Sequence, residues 1–288
     1  MQRVFWVPAF VLAAVLVIAA YPRDRYGEDY PEVEKEAIRK TLSFSSPSGP
    51  KSLNVDNVEG SIQVAGYDGA GVQVEIAKTV RARSKDDLDR AKNEVELKIS
   101  EKNNRIELYV DGPFRCEDGA RRSRRLFYRV NYDFQIKVPR DCDLDLRTIN
   151  NGDIRVESVS GKYDIENING KIQMDEIAGS GRVRAINGTV KVLFGRNPTG
   201  DCSFGSLNGN VDVAFLPDLT GDLWFKTFNG SAYSDFEIKP LPQPAGEEER
   251  RDGRFVYKSN RFFGGRIGKG GPQIKLDTLN GNIHVTAR

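Results

Sequence analysis

Between Asp143 and Ser234 the chain repeats a nine-residue unit, and nothing else in the sequence restricts the fold so strongly. Counted from a glycine at position zero, the unit reads Gly-x-apolar-x-apolar-x-x-apolar-x, and every second copy closes on Asn-Gly. The copies start at Gly152, Gly161, Gly170, Gly179, Gly188, Gly200, Gly209, Gly221 and Gly230, a spacing of nine with two steps of twelve. Apolar residues at +2 and +4 are what a strand with one buried face requires. They are Ile154 and Val156, Tyr163 and Ile165, Ile172 and Met174, Cys202 and Phe204, and Leu223 and Phe225; Val159, Ile168, Ile177, Leu207 and Phe228 follow at +7. The copy at Gly179 is irregular, with Gly181 at +2, yet Val183 and Ile186 keep its phase.

Asn-Gly between alternating apolar residues is also the strongest short signal for a two-residue β-hairpin. That register would face Ile168 with Lys171, Ile186 with Thr189, Leu207 with Asn210, Phe228 with Ser231 and Leu279 with Asn282. Each pair sets an apolar side chain beside a polar one. If Asn-Gly is instead a corner between two strands of one coil, all three apolar positions turn inward and stack on their equivalents one coil away. The sequence therefore predicts an all-β, parallel β-solenoid (β-helix) with coils of 18 or 21 residues. Glycine suits corners that need positive φ, and asparagine tolerates them. Stacked Asn169, Asn187, Asn208 and Asn229 are expected to form a side-chain amide ladder of the cross-β kind.

An isolated early copy, Leu53, Val55 and Val58 leading to Gly60, Ile62, Val64 and Tyr67, places the solenoid domain at residues 49–288. Residues 71–140 read as an insertion or cap covering one end or side, since a bare coil leaves strand edges unpaired. It holds an alternating stretch from Val72, a short helix capped by Ser84, an antiparallel hairpin about Asn103-Asn104 and a long strand ending at Pro139. Residues 235–271 form a corner insertion, and the repeat returns at Ile274, Leu276, Leu279, Ile283 and Val285 as a last coil. Upstream, residues 1–21 carry an apolar run from Val4 to Ala20 behind Arg3, expected to be a cleaved signal peptide or a retained membrane anchor. Residues 22–48 read as a polar linker.

In its Asn-Gly corners, its opening Leu53-Asn-Val-Asp-Asn-Val-Glu-Gly-Ser-Ile-Gln-Val64 and the strand end Val-Pro-Arg140, the chain resembles a family of bacterial envelope proteins labelled putative adhesins, a domain of unknown function. It is similar to the head domains of putative surface adhesins, and the likeness runs from Leu42 to Arg288. The resemblance implies an extracytoplasmic β-solenoid without enzymatic activity, located in the periplasm, at the cell surface or secreted.

A formal net charge of +2 gives no field that would favour nucleic acid. Membrane contact is expected only through the N-terminal segment. The three cysteines have no zinc spacing, and an odd count leaves at least one thiol unpaired in a monomer. Cys202 falls on an inward position, and a Cys116 to Cys142 bridge is left open. The one histidine, His284, sits outward in the last coil and reads as a surface residue without a partner. Asp141-Cys-Asp-Leu-Asp145 lacks the glycine and glutamate of a calcium loop and reads as a charge ladder of Asp143, Asp145 and Arg147. Outward Asp153, Arg155, Asp164, Gln173, Asp175, Arg182 and Arg184 mix both signs without an acidic cluster. Gly264-Gly-Arg-Ile-Gly-Lys-Gly-Gly271 misses the phosphate-loop spacing and reads as a flexible corner. No catalytic residue, metal or cofactor is assigned.

Binding is assigned instead to outward Trp224 and Tyr233, whose rings could stack on sugars or partner side chains, and to the basic run Arg121, Arg122, Arg124 and Arg125. A fold-back of the 235–271 insertion over Trp224 is the competing expectation. The expected partner is an envelope or extracellular protein or a glycan. The alternatives are a polysaccharide-active β-helix enzyme, which needs acids converging in one groove, and an envelope-stress or assembly component that binds another protein.

Overall fold

The computed structural model describes residues 30–46, 48–115, 126–242 and 262–288 with their side chains, and the backbone of 14–15, 247–251 and 254–258. The chain is all-β with one short helix, Lys85–Glu94. Two open, mixed sheets of eleven strands each carry the fold. Through the repeat, consecutive strands alternate between them. Ile154–Glu157, Ile172–Ile177, Val190–Phe194 and Val211–Phe215 are neighbours in the first sheet, and Asp143–Thr148, Tyr163–Asn167, Gly181–Asn187 and Cys202–Asn208 in the second. All these neighbours pair in parallel and in phase, so Ile154 lies beside Ile172, Val190 and Val211 in turn. Among the described residues, no two strands flanking an Asn-Gly pair with each other; the hairpin register is excluded.

Inward side chains fill the space between the sheets with little exposure: Ile154, Ile165, Ile172, Met174, Phe194, Phe204 and Phe215 are each at 0%. Each such side chain contributes roughly 1.5–3 kcal/mol against leaving it in water. Phe194 and Phe215 stack at 4.9 Å. Cys202 is buried as expected and lies 3.6 Å from the Tyr163 hydroxyl. Cys142 is a buried free thiol whose pKa burial pushes up to about 12, while Cys116 lies outside the described residues.

The expectation that all three apolar positions turn inward needs correction. In the units that end in Asn-Gly, strict alternation continues through +6, so +6 faces in and +7 faces out. Ile168, Ile186, Leu207, Phe228 and Leu279 are accordingly exposed, Phe228 at 75%. The inward +6 residue is usually small and polar, and it donates to a corner carbonyl: Thr148 to Gly60 at 2.8 Å, Asn167 to Gly152 at 3.0 Å, Ser206 to Gly188 at 2.8 Å, Thr278 to Gly209 at 2.9 Å. Val159 and Ile177 do point inward, because Ser158 and Glu176 before them adopt left-handed φ of 57° and 54° and reverse the parity.

The corner glycines are required less by φ than by close approach. A Cβ on Gly188 would stand 2.0 Å from the Gly170 carbonyl oxygen, and one on Gly209 would stand 2.3 Å from that of Gly188. Beside them the amide ladder is present: Asn169 donates to Asn150, Asn187 to Asn169 and Asn208 to Asn187, each at 2.8 Å. It continues from Asn280 to Asn208 and from Asn229 to Asn280, both at 2.7 Å.

That order exposes a second correction. The repeat at the chain's end is not the last rung: Gln273–Asn280 lies between Cys202–Asn208 and Gly221–Asn229, and Ile283–Ala287 lies between Val211–Phe215 and Ala232–Ser234. Its Ile274, Leu276, Ile283 and Val285 are buried in the stack, which joins more apolar surface than a place at the open end would offer.

Both ends of the stack carry antiparallel strands. The early copy, Ser52–Asp56 and Ile62–Tyr67, pairs directly with Asp143–Thr148 and Ile154–Glu157. The insertion then covers this end: Tyr128–Pro139 and Val72–Ala82 extend the first sheet, and the hairpin Glu96–Lys102 with Arg105–Asp111 extends the second. Asn103 and Asn104 turn the hairpin with φ of 53° and 62°, and Ser84 accepts from the Asp87 amide at 3.2 Å as the helix cap. Glu32–Leu42, read above as linker, is a strand paired along its length with Val72–Ala82. Its alternation is masked by lysine and glutamate on both faces. At the other end Phe263–Ile267, read as a flexible corner, is a strand antiparallel to Gly221–Asn229, turned back by Gly268 and Gly270 at φ of 59° and 77°. Of the N-terminal apolar run, only Ala14–Val15 is described, as a two-residue strand beside Ala37 and Glu36. No helix among the described residues is long and apolar enough to cross a membrane.

Candidate binding surface

The parallel register turns the outer face of each sheet into rows of side chains spaced about 4.8 Å apart. On the first sheet one row runs through Arg39, Glu75, Gln135, Gln63, Arg155, Gln173, Lys191, Asp212, His284 and Tyr233, one residue per strand. Its first members line a cleft of about 1230 Å³ together with Gln73 and Lys137 from the row beside it. The outer members of this row are satisfied internally. Arg39 Nη2 meets Glu75 Oε1 at 2.6 Å, and His284 Nδ1 meets Asp212 Oδ1 at 2.6 Å.

The middle of the row is different. Gln63, Gln135, Arg155 and Lys191, and Lys137 in the row beside them, make no hydrogen bond or ion pair through their side chains among the described residues. Gln173 donates to Asp175 Oδ2 at 2.8 Å, which leaves its carbonyl facing outward. Glu157 stands beside Asp175 in register. Among the described residues, no three His, Cys, Asp or Glu side chains form a group able to hold a metal.

Much of the second sheet's outer face pairs its charges within the chain, while Arg184, Lys226 and Lys275 make no hydrogen bond or ion pair among the described residues. Arg182 bonds Asp164 at 3.1 Å and Glu166 at 2.8 Å, and Asp145 takes Asn54 at 2.8 Å and Arg105 at 3.2 Å. The expected ladder of Asp143, Asp145 and Arg147 is part of this face. The hydrogen bond from Arg182 to Asp164 holds the guanidinium above its ordinary pKa, and that from Arg266 holds the Asp222 carboxyl below the usual carboxylate range. Asp277 goes the other way: burial raises its pKa although Arg184 and Lys226 oppose the shift.

The residues singled out from sequence do not come together. Trp224 projects from the second sheet and Tyr233 from the first. The fold-back expected as the alternative does occur: Gly264 pairs opposite Trp224, and a Cβ there would stand 2.5 Å from the indole, so the ring lies half-buried on a glycine strand. Tyr233 remains 54% exposed and stacks on the His284 ring at 5.2 Å. His284 therefore has two partners, in place of the lone surface residue expected. Arg121, Arg122, Arg124 and Arg125 lie outside the described residues. The unpaired row was missed because outward residues were pooled over all units. Alternate units enter different sheets, so each face must be read from every second unit: Arg155, Gln173, Lys191, Asp212 and His284 then fall in one line at +3.

No family model matches the sequence, and no curated protein matches it. Two solved structures show partial similarity to the chain. One is described as a putative cell adhesion protein from Clostridium sporogenes ATCC 15579, at 11% identity and TM-score 0.38, covering 88% of this chain and 100% of that one. The other is a putative adhesin from Bacteroides fragilis NCTC 9343, at 11% identity and TM-score 0.38, covering 88% and 97%. At that degree of overlap neither bears on the assignment of function.

Proposed function

We propose that the chain is a non-enzymatic, adhesin-like β-solenoid that acts outside the cytoplasm and holds a hydroxyl-rich polymer, a glycan, across the outer face of its first sheet. The observation that carries the reading is the middle of the row, where Gln135, Gln63, Arg155 and Lys191 make no side-chain hydrogen bond or ion pair among the described residues and Gln173 keeps its carbonyl free, beside a second face on which Arg182, Asp164, Glu166 and Asp145 are paired. Amide and cationic groups left without protein partners are held on a rigid parallel ladder, so little side-chain and backbone order is lost on binding. A polymer lying across the strands meets one polar group per strand, donors and acceptors both, as sugar hydroxyls require. The apolar run from Val4 to Ala20 supports export, and it serves equally as a signal peptide or an anchor.

The test is capture of the purified chain on an array of neutral and acidic polysaccharides, for wild type and for Gln63→Ala/Arg155→Ala. Capture by wild type alone supports the reading. Absence of capture by wild type, or equal capture by the double variant, removes it.

A further inference from the structure

At the open end of the stack, three columns of hydrogen bonds stop with their last member unfilled. In the first column each corner asparagine donates its side-chain amide toward the earlier rung, ending with Asn229 to Asn280 at 2.7 Å, so among the described residues the Asn229 Oδ1 acceptor has no donor. In the second, each corner glycine N–H donates to the asparagine carbonyl of the next rung: Gly188 to Asn208 at 3.1 Å, Gly209 to Asn280 at 3.0 Å and Gly281 to Asn229 at 3.1 Å. Gly230, on the final rung, has no such acceptor among the described residues. In the third, the +2 amide donates to the +1 carbonyl of the next rung: Val190 to Asn210 and Val211 to Asn282 at 2.9 Å, and Ile283 to Ser231 at 3.0 Å. Ala232, the last +2 residue, has none among the described residues.

The other strand edges are handled differently. Gly221–Phe225 of the second sheet is covered by Phe263–Ile267, and the edge beyond that is Lys239–Pro240, where proline lacks a donor. Glu96–Lys102 at the far edge is studded with charge. Among the described residues, Lys226–Ser234 is thus an uncovered strand, corner and strand, with Phe228 75% and Tyr233 54% exposed along it.

We propose that this end is an interaction surface for an extended Asn-Gly segment of another polypeptide, which adds one more rung. The fit is three-point. The partner's asparagine side chain donates to Asn229 Oδ1, its asparagine carbonyl accepts from Gly230 N–H, and the carbonyl of the residue after its glycine accepts from Ala232 N–H. Glycine is obligatory in the partner, because each corner glycine stacks directly on the one below; a Cβ on Gly230 would itself stand 1.9 Å from the Gly281 carbonyl oxygen. This is strand addition with a residue-specific corner, and it is independent of the glycan face.

The probe is a labelled peptide copying Asp277–Val285, the segment that forms the adjoining rung, titrated with the full chain and followed by fluorescence anisotropy. Saturable binding is expected, weakened at least about ten-fold in a peptide carrying Gly281→Ala and at least about ten-fold with the Ala232→Pro chain, each of which removes part of the three-point fit. Among the described residues the Ala232 N–H has no acceptor, so that chain is expected to melt like wild type. Absence of binding at millimolar peptide, or equal binding of the alanine peptide, overturns the proposal; so does equal binding by a folded Ala232→Pro chain.

Discussion

The two outer faces are built on one scaffold from the same repeat, yet they are finished in opposite ways. On the second sheet Arg182, Asp164 and Glu166, and Asp145 with Asn54 and Arg105, satisfy one another across neighbouring strands. On the first sheet Gln63, Gln135, Arg155 and Lys191 occupy equivalent positions and satisfy nothing. Stability does not require the second pattern, since exposed ion pairs contribute little. The difference teaches that a strand ladder is held by its interior and its corners, which leaves the middle of a face free to be specified by a partner.

The strongest way to break the comparison is to remove the scaffold common to both faces. Gly188→Ala would drive a Cβ to 2.0 Å from the Gly170 carbonyl oxygen. A loss of about 3 kcal/mol or more is expected by chemical denaturation, with both faces lost together. A second sharpening acts on the first face alone. Gln63→Ala/Arg155→Ala is expected to lower polysaccharide affinity at least about ten-fold, as removal of hydrogen bonds to a charged group does, while the melting temperature stays unchanged.

The mirror experiment is smaller in effect. Arg182→Ala is expected to reduce stability by no more than about 1 kcal/mol, because a guanidinium nearly half exposed is screened by solvent, and to leave polysaccharide capture as it was. The finest test uses proton linkage. The folded pKa of Asp277 is raised by burial, so protonation favours the folded state. Its contribution is fully present below the unfolded value near 3.8 and is lost as pH rises through the folded pKa. Asp222, lowered by Arg266, works in the opposite sense, and its contribution is lost as pH falls below 3.8 through the folded pKa. Melting curves across the acidic range are therefore expected to show a fall in stability as pH rises above 3.8 that Asp277→Asn abolishes and Asp222→Asn leaves in place.

Much of the fold could be read from residues. The phase of Ile154, Ile172 and Val190, the amide ladder, the early rung at Leu53 and the helix capped by Ser84 follow from periodicity and local chemistry, which act over a few residues. What could not be read depended on long-range competition. Insertion of the final rung ahead of Gly221–Asn229 is decided by which surfaces fit, and the pattern is the same in either order. The inward Thr148, Ser206 and Thr278 were hidden because their role is to bind a glycine carbonyl one rung away. The strand at Glu32–Leu42 carries charge on both faces, so no alternation marks it. The site was least legible of all: Trp224 and Tyr233 were identified as outward, but the row through Gln63, Arg155 and Lys191 emerges only when units are sorted by sheet.

The central claim is that the first face is the one that meets the partner. Isothermal titration of the polysaccharide best retained on the array, against wild type, Gln63→Ala/Arg155→Ala and Arg182→Ala side by side, tests it most directly. The account predicts that heat is lost with the first-face variant and kept with the second-face variant. Retention by the first-face variant, or loss through Arg182→Ala in a chain that melts normally, would contradict it.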